Sequence, residues 1–300
     1  MSIHVLKVDE ANHKVRLDVF LTNNLADVPS RSFVKRLIET NGVFVNGEVV
    51  KVHHKVLKGD EIKVDFSVPE DELEHIEAEN IPLNIFYEDE HLLVVNKPVG
   101  MLVHPARGCA TGTLVNALLY HYKTLSDVNT NLRPGIVHRL DQATSGLLLV
   151  AKNNIAHTKL AKQFKKHKVF KQYVALVEGL IEFDEGKIDV PLGRHPLHRE
   201  KKSVQFDDSA KESLTYYKVL KRSKGVTLVA LFPKTGRMHQ LRVHMSYLGH
   251  PILGDEKYGK KNNFFRLALH AKAIGFTHPE TKQFVKFSTP TPSEFLERVR

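Results

Sequence analysis

Apolar positions in the first quarter of the chain follow a helical period and then switch to strand spacing. Arg16-Leu17-Asp18-Val19-Phe20-Leu21 opens an amphipathic helix. Pro29-Ser30-Arg31-Ser32 reads as the start of a second helix, with a serine available as its cap. Phe33, Val34, Leu37 and Ile38 share one face of it, and Arg31, Lys35 and Arg36 lie elsewhere on its surface. Asn41-Gly42 ends it. Val43-Phe44-Val45 then meets Asn46-Gly47, the strongest short-range hairpin signal. Val49-Val50 and Val52 follow, and Gly59-Asp60 precedes a strand from Glu61 to Phe66. The pattern predicts a small α+β domain over residues 14–66.

Residues 67–80 are acidic, contain Pro69 and show no apolar stripe, which predicts a linker. From Ile81 onward short strands and helices alternate. Leu92 to Val95 reads as a buried strand stopped by Asn96-Lys97-Pro98, and Thr113 to Tyr120 as a helix. A strand through Ile136-Val137 leads into a polar loop, and Gly146 to Val150 returns as a buried strand. Ala156 to Lys166 is a helix, with strands at Tyr173 to Glu178, Leu214 to Leu220 and Thr227 to Phe232. Gln240 to Tyr247 begins a further helix. No strand–helix unit repeats strictly enough for a parallel doubly wound sheet. The expectation is one α+β domain over 81–300, around a mixed, mostly antiparallel central sheet.

Charge sharpens this division. The 300 residues carry a net charge of +10, and nearly all of the excess falls in one region. Residues 67–95 hold nine acids and no lysine or arginine, whereas residues 96–300 hold 34 basic and 16 acidic residues. A surface of that sign attracts polyanions. The lone cysteine, Cys109, excludes an internal disulfide, and no Cys/His spacing marks a structural zinc. No run approaches the length of a membrane span, and the first residues lack an export signal. The cytoplasm is the expected compartment.

The densest chemistry lies in the 18 residues from Gly135 to Lys152. His138-Arg139-Leu140-Asp141 sits in a polar loop between apolar segments, followed by Thr144 and Ser145. Loops on rigid scaffolds carry catalytic groups. On residue types alone, Arg139 and Asp141 fit an ordinary ion pair equally well. This stretch, however, resembles the signature of the RluA-type RNA pseudouridine synthases. The blocks Leu92 to Pro105, Lys171 to Gly179, Thr235 to Met245 and Gly249 to Asp255 resemble further blocks of that family, in the same order. Residues 14–66 resemble the alpha-L RNA-binding domain that many members carry at the N-terminus.

The resemblance implies a pseudouridine synthase catalytic fold with a small N-terminal α+β RNA-binding domain. It implies catalytic roles for Asp141, Tyr173 and Arg242. Tyr173 packs on the target base and Arg242 pairs with Asp141. Arg139 displaces the base, with His138, Arg237, His239 and Gln240 as further substrate contacts. It also implies a monomer acting on structured RNA, with 23S-type ribosomal RNA or a large-subunit precursor favoured. The isomerisation gains no atom and changes no oxidation state, so no cofactor or metal is expected. A lone buried carboxylate drifts towards its neutral form, and an arginine beside it opposes that drift. Basic residues Arg31, Lys35, Arg36, Lys162, Lys165 and Lys166 are candidates for phosphate contacts. Two other function classes compete: a non-catalytic RNA-binding or ribosome-assembly factor on the same fold, and a glycosidase-type hydrolase. The first has no need of Asp141. The second needs another acid near it, and none recurs in the loop.

Overall fold

The computed structural model describes residues 3–25, 31–66, 76–106, 108–128, 133–198, 200–259 and 264–300. The chain forms two compact units: Met1–Ile76 with Asp127–Pro134, and Glu77–Ser126 with Gly135–Arg300.

In the first unit, strands β1 (Ile3–Lys7), β2 (Val43–Val45), β3 (Glu48–Val49) and β4 (Glu61–Asp65) form an antiparallel sheet. Their order is β1-β4-β2-β3. Helices α1 (Leu17–Asn24) and α2 (Arg31–Glu39) supply Leu17, Phe20, Leu21, Val34, Leu37 and Ile38 to the core. They pack with Val43, Val45, Ile62 and Val64 of the sheet. Asn46 and Gly47 both take positive φ, the geometry of a two-residue hairpin turn. The structure adds β1, which the sequence reading omits. Its residues run exposed, half-buried, exposed along an edge strand, so it carries no apolar run to read. The expected cap at Pro29-Ser30 lies outside the described residues.

The second unit is built on a nine-stranded sheet. Its strands are β5 (Ile85–Glu88), β6 (Leu92–Lys97), β7 (Ser145–Ala151), β8 (Phe170–Glu178) and β9 (Glu185–Asp189). A small hairpin of β10 (Leu192–Arg194) and β11 (Lys202–Val204) stands apart. The large sheet continues with β12 (Leu214–Ser223), β13 (Val226–Pro233), β14 (Leu269–Thr277) and β15 (Phe284–Ser288). The order is β5-β6-β7-β14-β8-β13-β12-β9, with β15 on β14. Among the described residues β7–β14 is the one parallel pairing. The mixed, mostly antiparallel sheet is therefore as expected. Helices are α3 (Leu114–His121), α4 (Asn154–Lys165), α5 (Gln240–Tyr247) and α6 (Ser293–Arg298). Thr113 and Asn116 cap α3 reciprocally, and the Asn153 side chain caps α4.

Three boundaries differ from the sequence reading. Residues 67–75 lie outside the described part, but Glu77 and Glu79 already belong to the second unit. Asn116 takes the Glu77 carbonyl and the Glu79 amide, and the Glu79 carboxylate accepts the Gly112 N–H. The expected strand at Ile136-Val137 is only an isolated bridge from Ile136 to Val150. Strand β6 runs on through Asn96 and Lys97, because the Lys97 ammonium is satisfied inside. It is fully buried and donates to the carbonyls of Pro98, Met101 and Gln142.

That lysine and its neighbours set the loop before β7. Gly100 and Gln142 exchange hydrogen bonds, and the Thr144 N–H closes a turn on the Asp141 carbonyl. The chain then enters β7 at Gly146, whose φ is +113°. A Cβ there would stand 2.3 Å from the Ala271 carbonyl oxygen of β14. Only glycine fits so close to the parallel strand. Gly146→Ala is expected to lower stability by about 3 kcal/mol, through backbone strain and lost strand pairing. Thermal unfolding checks this; an unchanged melting temperature would refute the proposed constraint.

Candidate active site

Asp141 sits where the Lys97-anchored turn meets β7, and its side chain is 22% exposed. Nη1 of Arg242, on α5, lies 3.7 Å from its Oδ2. The resemblance implied that these two form the pair. The structure gives Arg242 a tighter partner. Its Nε and Nη2 donate to Oδ2 and Oδ1 of Asp255, both at 2.7 Å. Oδ1 of Asp255 also accepts the amides of Lys257 and Tyr258. Bidentate binding needs both carboxylate oxygens in the guanidinium plane, so Asp255 fixes how Arg242 presents its remaining edge to Asp141. Burial lowers the affinity of Arg242 for its proton, but Asp255, with a smaller effect from Asp141, raises its pKa overall. Asp255 is the second acid that the sequence reading missed beside Asp141. Its oxygens are already taken by four donors, which leaves it no capacity for acid–base work.

Two clefts open onto Asp141. Both are lined by Arg139, Asp141, His239 and Arg242. The first, of about 560 Å³, also takes in Tyr173, Lys171, His138, Phe164 and Arg237. Tyr173 lies on β8 between β13 and β14, opposite a bulge in β14. Bulges re-aim side chains. Burial, and then the charge of Asp141, push the Tyr173 phenol well above its ordinary pKa. It is a neutral hydroxyl at pH 7. Lys171, two residues earlier on the same face, donates to the Thr235 carbonyl at 3.0 Å. Burial, with the charge of Lys234, lowers its pKa to about 8.

The other expected contacts separate into two groups. Arg139 is exposed and has no hydrogen-bond or ion-pair partner among the described residues, and the Arg237 guanidinium donates through Nε to the Glu212 carbonyl. Both are available to a ligand. His138, Gln240 and His239 are committed to the protein. Nε2 of His138 accepts the Leu149 N–H at 2.9 Å, and its ring stacks on Phe164. Burial, with the charge of Lys171, drops its pKa to about 3, so it stays neutral and braces β7. Gln240 donates to Leu214 and Thr215 and accepts from Thr235 and Arg237. His239 takes φ +57°, a left-handed conformation that non-glycine residues seldom adopt. Its Nδ1 is 2.7 Å from the Tyr258 hydroxyl, and burial lowers its pKa to about 4 although Asp141 opposes this.

Lys162, Lys165 and Lys166 are exposed at the C-terminal end of α4, where positive charge also suits the helix dipole. Lys165 lines the first cleft. On α2, Lys35 is exposed and 3.5 Å from Glu39, and the side chains of Arg31 and Arg36 lie outside the described residues. His244 and His250 each have a partner of their own, in Ser213 with Thr215 and in the Glu178 carbonyl. Sequence reasoning missed Lys97, Asp255 and Tyr258 and gave Lys171 no role of its own.

This sheet holds a carboxylate and an arginine at the mouth of a tyrosine-lined cleft. Residues 91–247 match the RNA pseudouridylate synthase family and residues 15–62 the S4 domain family, the latter covering most of the predicted RNA-binding domain. RNA pseudouridine synthase YlyB of Bacillus subtilis (strain 168) is 45% identical over 98% of this chain and 96% of its own. Ribosomal large subunit pseudouridine synthase D of Pasteurella multocida is 40% identical over 95% of this chain and 90% of its own. Among solved structures, human RNA pseudouridylate synthase domain containing 1 aligns with a TM-score of 0.60 at 32% identity. That match covers 72% of this chain and 86% of that one. The chain belongs to the RNA pseudouridine synthase family.

The geometry separates the two aspartates experimentally. Asp255→Asn breaks a buried pair and is expected to cost about 3–5 kcal/mol of stability, together with activity. Asp141→Asn leaves Arg242 its bidentate partner and is expected to change stability by less than about 1 kcal/mol. Chemical denaturation of both variants checks the contrast, and equal losses would contradict it. A second expectation concerns pH. A lysine is charged below its pKa, so Lys171 loses charge as pH rises through about 8. RNA affinity is expected to weaken between roughly pH 7 and pH 9, and Lys171→Arg, charged throughout, to flatten that slope. Anisotropy titrations measure it; identical slopes would remove Lys171 from the RNA contact.

Proposed function

We propose that this chain isomerises specific uridines in structured RNA, with Asp141 as the catalytic carboxylate and large-subunit ribosomal RNA as the substrate class. The observation that carries the reading is the position of Asp141. It stands at the junction of two clefts, 3.7 Å from a buried guanidinium that is itself locked by a second carboxylate. A pure RNA binder has no use for such an arrangement. The ribosomal substrate class rests on the relatives named as large-subunit enzymes and on the S4 match.

The target atoms are buried in a stacked helix, so the nucleotide flips out, at a cost of a few kcal/mol. Arg139, exposed and unpartnered among the described residues, is placed to fill the gap, because a guanidinium stacks on bases and donates to them. The uracil then lies in the first cleft against Tyr173. Asp141 acts as nucleophile or as stabiliser of a sugar cation while the ribose leaves a ring nitrogen and rejoins at a ring carbon. The Tyr173 hydroxyl, kept protonated, moves protons at the base.

Pseudouridine mapping in RNA from cells with and without this protein identifies the sites. Asp141→Ala is expected to abolish them while RNA affinity stays within about threefold of wild type, a change worth less than about 1 kcal/mol. Modification that persisted in that variant would overturn the catalytic assignment. RNA binding with no modified uridine in the wild type would support the assembly-factor reading instead.

A further inference from the structure

The second cleft, of about 870 Å³, opens onto Asp141 from the other side, and the chemistry above makes no use of it. Its wall carries Phe264 and Phe265, whose rings stack at 5.4 Å and 24°. The inner ring is anchored. Phe264 meets Phe295 of α6 edge-on at 6.0 Å and packs against the main hydrophobic core. The outer ring, Phe265, is 76% exposed. Stacked on an anchored ring in the wall of the cleft, it offers a flat apolar face to whatever enters.

The surroundings hold the platform rigid. Arg266, the next residue, lies over the Phe295 ring at 4.8 Å and donates through Nε and Nη2 to Glu294. Its Nη1 donates to the Ser145 hydroxyl, four residues after Asp141. The stacking surface and the catalytic loop are thus tied to one guanidinium. Charge on the wall is balanced in detail. Asp255 is taken by Arg242 and Arg266 by Glu294, which leaves Arg139 and Lys257 against Asp141 and Glu256. An exposed aromatic face beside two exposed cations is the chemistry of a single-stranded nucleotide site.

We infer that Phe265 stacks on the base of a nucleotide adjoining the target uridine, and that this second cleft reads sequence context. The inference rests on the proposed function, since a flipped uridine at Asp141 fixes where its neighbour lies. The RNA strand continues from the flipped nucleotide, and both clefts share Arg139 and Asp141 at their junction. Enzymes that flip a base draw context preference from such flanking contacts. Stacking on a phenyl ring favours the larger face of a purine and tolerates either one. The expected preference is therefore purine over pyrimidine at one adjoining position.

The test uses the whole protein and short stem-loop RNAs with one loop uridine and randomised neighbours, read by pseudouridine sequencing. Wild type is expected to show the purine preference at one side. Phe265→Ala is expected to flatten it and to lower kcat/KM about tenfold or more, and Phe265→Trp to keep it. A binding readout stands apart from catalysis: 2-aminopurine beside the uridine is quenched on binding wild type and not on binding Phe265→Ala. Equal quenching by the two proteins, or an unchanged context profile in Phe265→Ala, would overturn the inference. Quenching that depends on Phe265 in RNA that is never modified would support this subsite and count against the proposed reaction.

Discussion

The catalytic unit depends on one buried guanidinium shared unequally between two carboxylates. Arg242 gives its two best hydrogen bonds to Asp255 and its remaining edge to Asp141. The unequal split leaves the two acids in different states. A carboxylate held bidentately is fully solvated by protein and inert. A carboxylate at 3.7 Å feels the charge yet keeps its oxygens free for a sugar or a base. Asp255 therefore meets the cost of burying the arginine, and Asp141 benefits from its field. The Arg242 guanidinium also lies 5.1 Å over the Tyr258 ring, and that hydroxyl reaches His239. One cation thereby organises the end of α5, the loop after it and the base of both clefts.

The clefts explain why the surrounding side chains have such different fates. His138, Gln240 and Lys97 spend their polar atoms on the protein itself, bracing β7, the Thr235 turn and the Asp141 loop. Arg139 and Arg237 keep donors to spare at the cleft edge. Buried polar groups with complete partner sets stiffen a site, whereas open donors recognise a ligand. The left-handed backbone of His239 sits between these groups, held by α5 on one side and by Tyr258 on the other.

Much of this was legible in the chain, for reasons that can be stated. Periodic apolar runs gave α4, α5, β7, β12 and β13 close to their true positions, since each turns apolar residues to a core. Edge strand β1 escaped because it buries almost nothing, and central strand β14 because its run Leu269–Thr277 mixes histidine, lysine and glycine with apolar residues. Asp141 was singled out through its motif. The Asp255–Arg242 pair was not, although its residues lie 13 apart. Sequence shows that an acid and a base exist; only packing decides which oxygen meets which nitrogen. Lys171 illustrates the same limit, since a run of lysines cannot reveal which one turns inward.

The place of β14 in the sheet also dictates an order of events as the chain is made. Strands β5, β6 and β7 can pair as soon as residue 151 has emerged, and β8, β9, β12 and β13 by residue 233. The two half-sheets cannot join then, because the strand that lies between β7 and β8 begins only at Leu269. Pairings so distant in sequence form late. Until β14 inserts, the half carrying Asp141 and the half carrying Tyr173 and Arg242 have no shared backbone ladder. A partly synthesised chain can hold Asp141, Tyr173 and Arg242 and still lack the cleft that they line together. Translation itself thus withholds the activity until the last strand of the joint arrives.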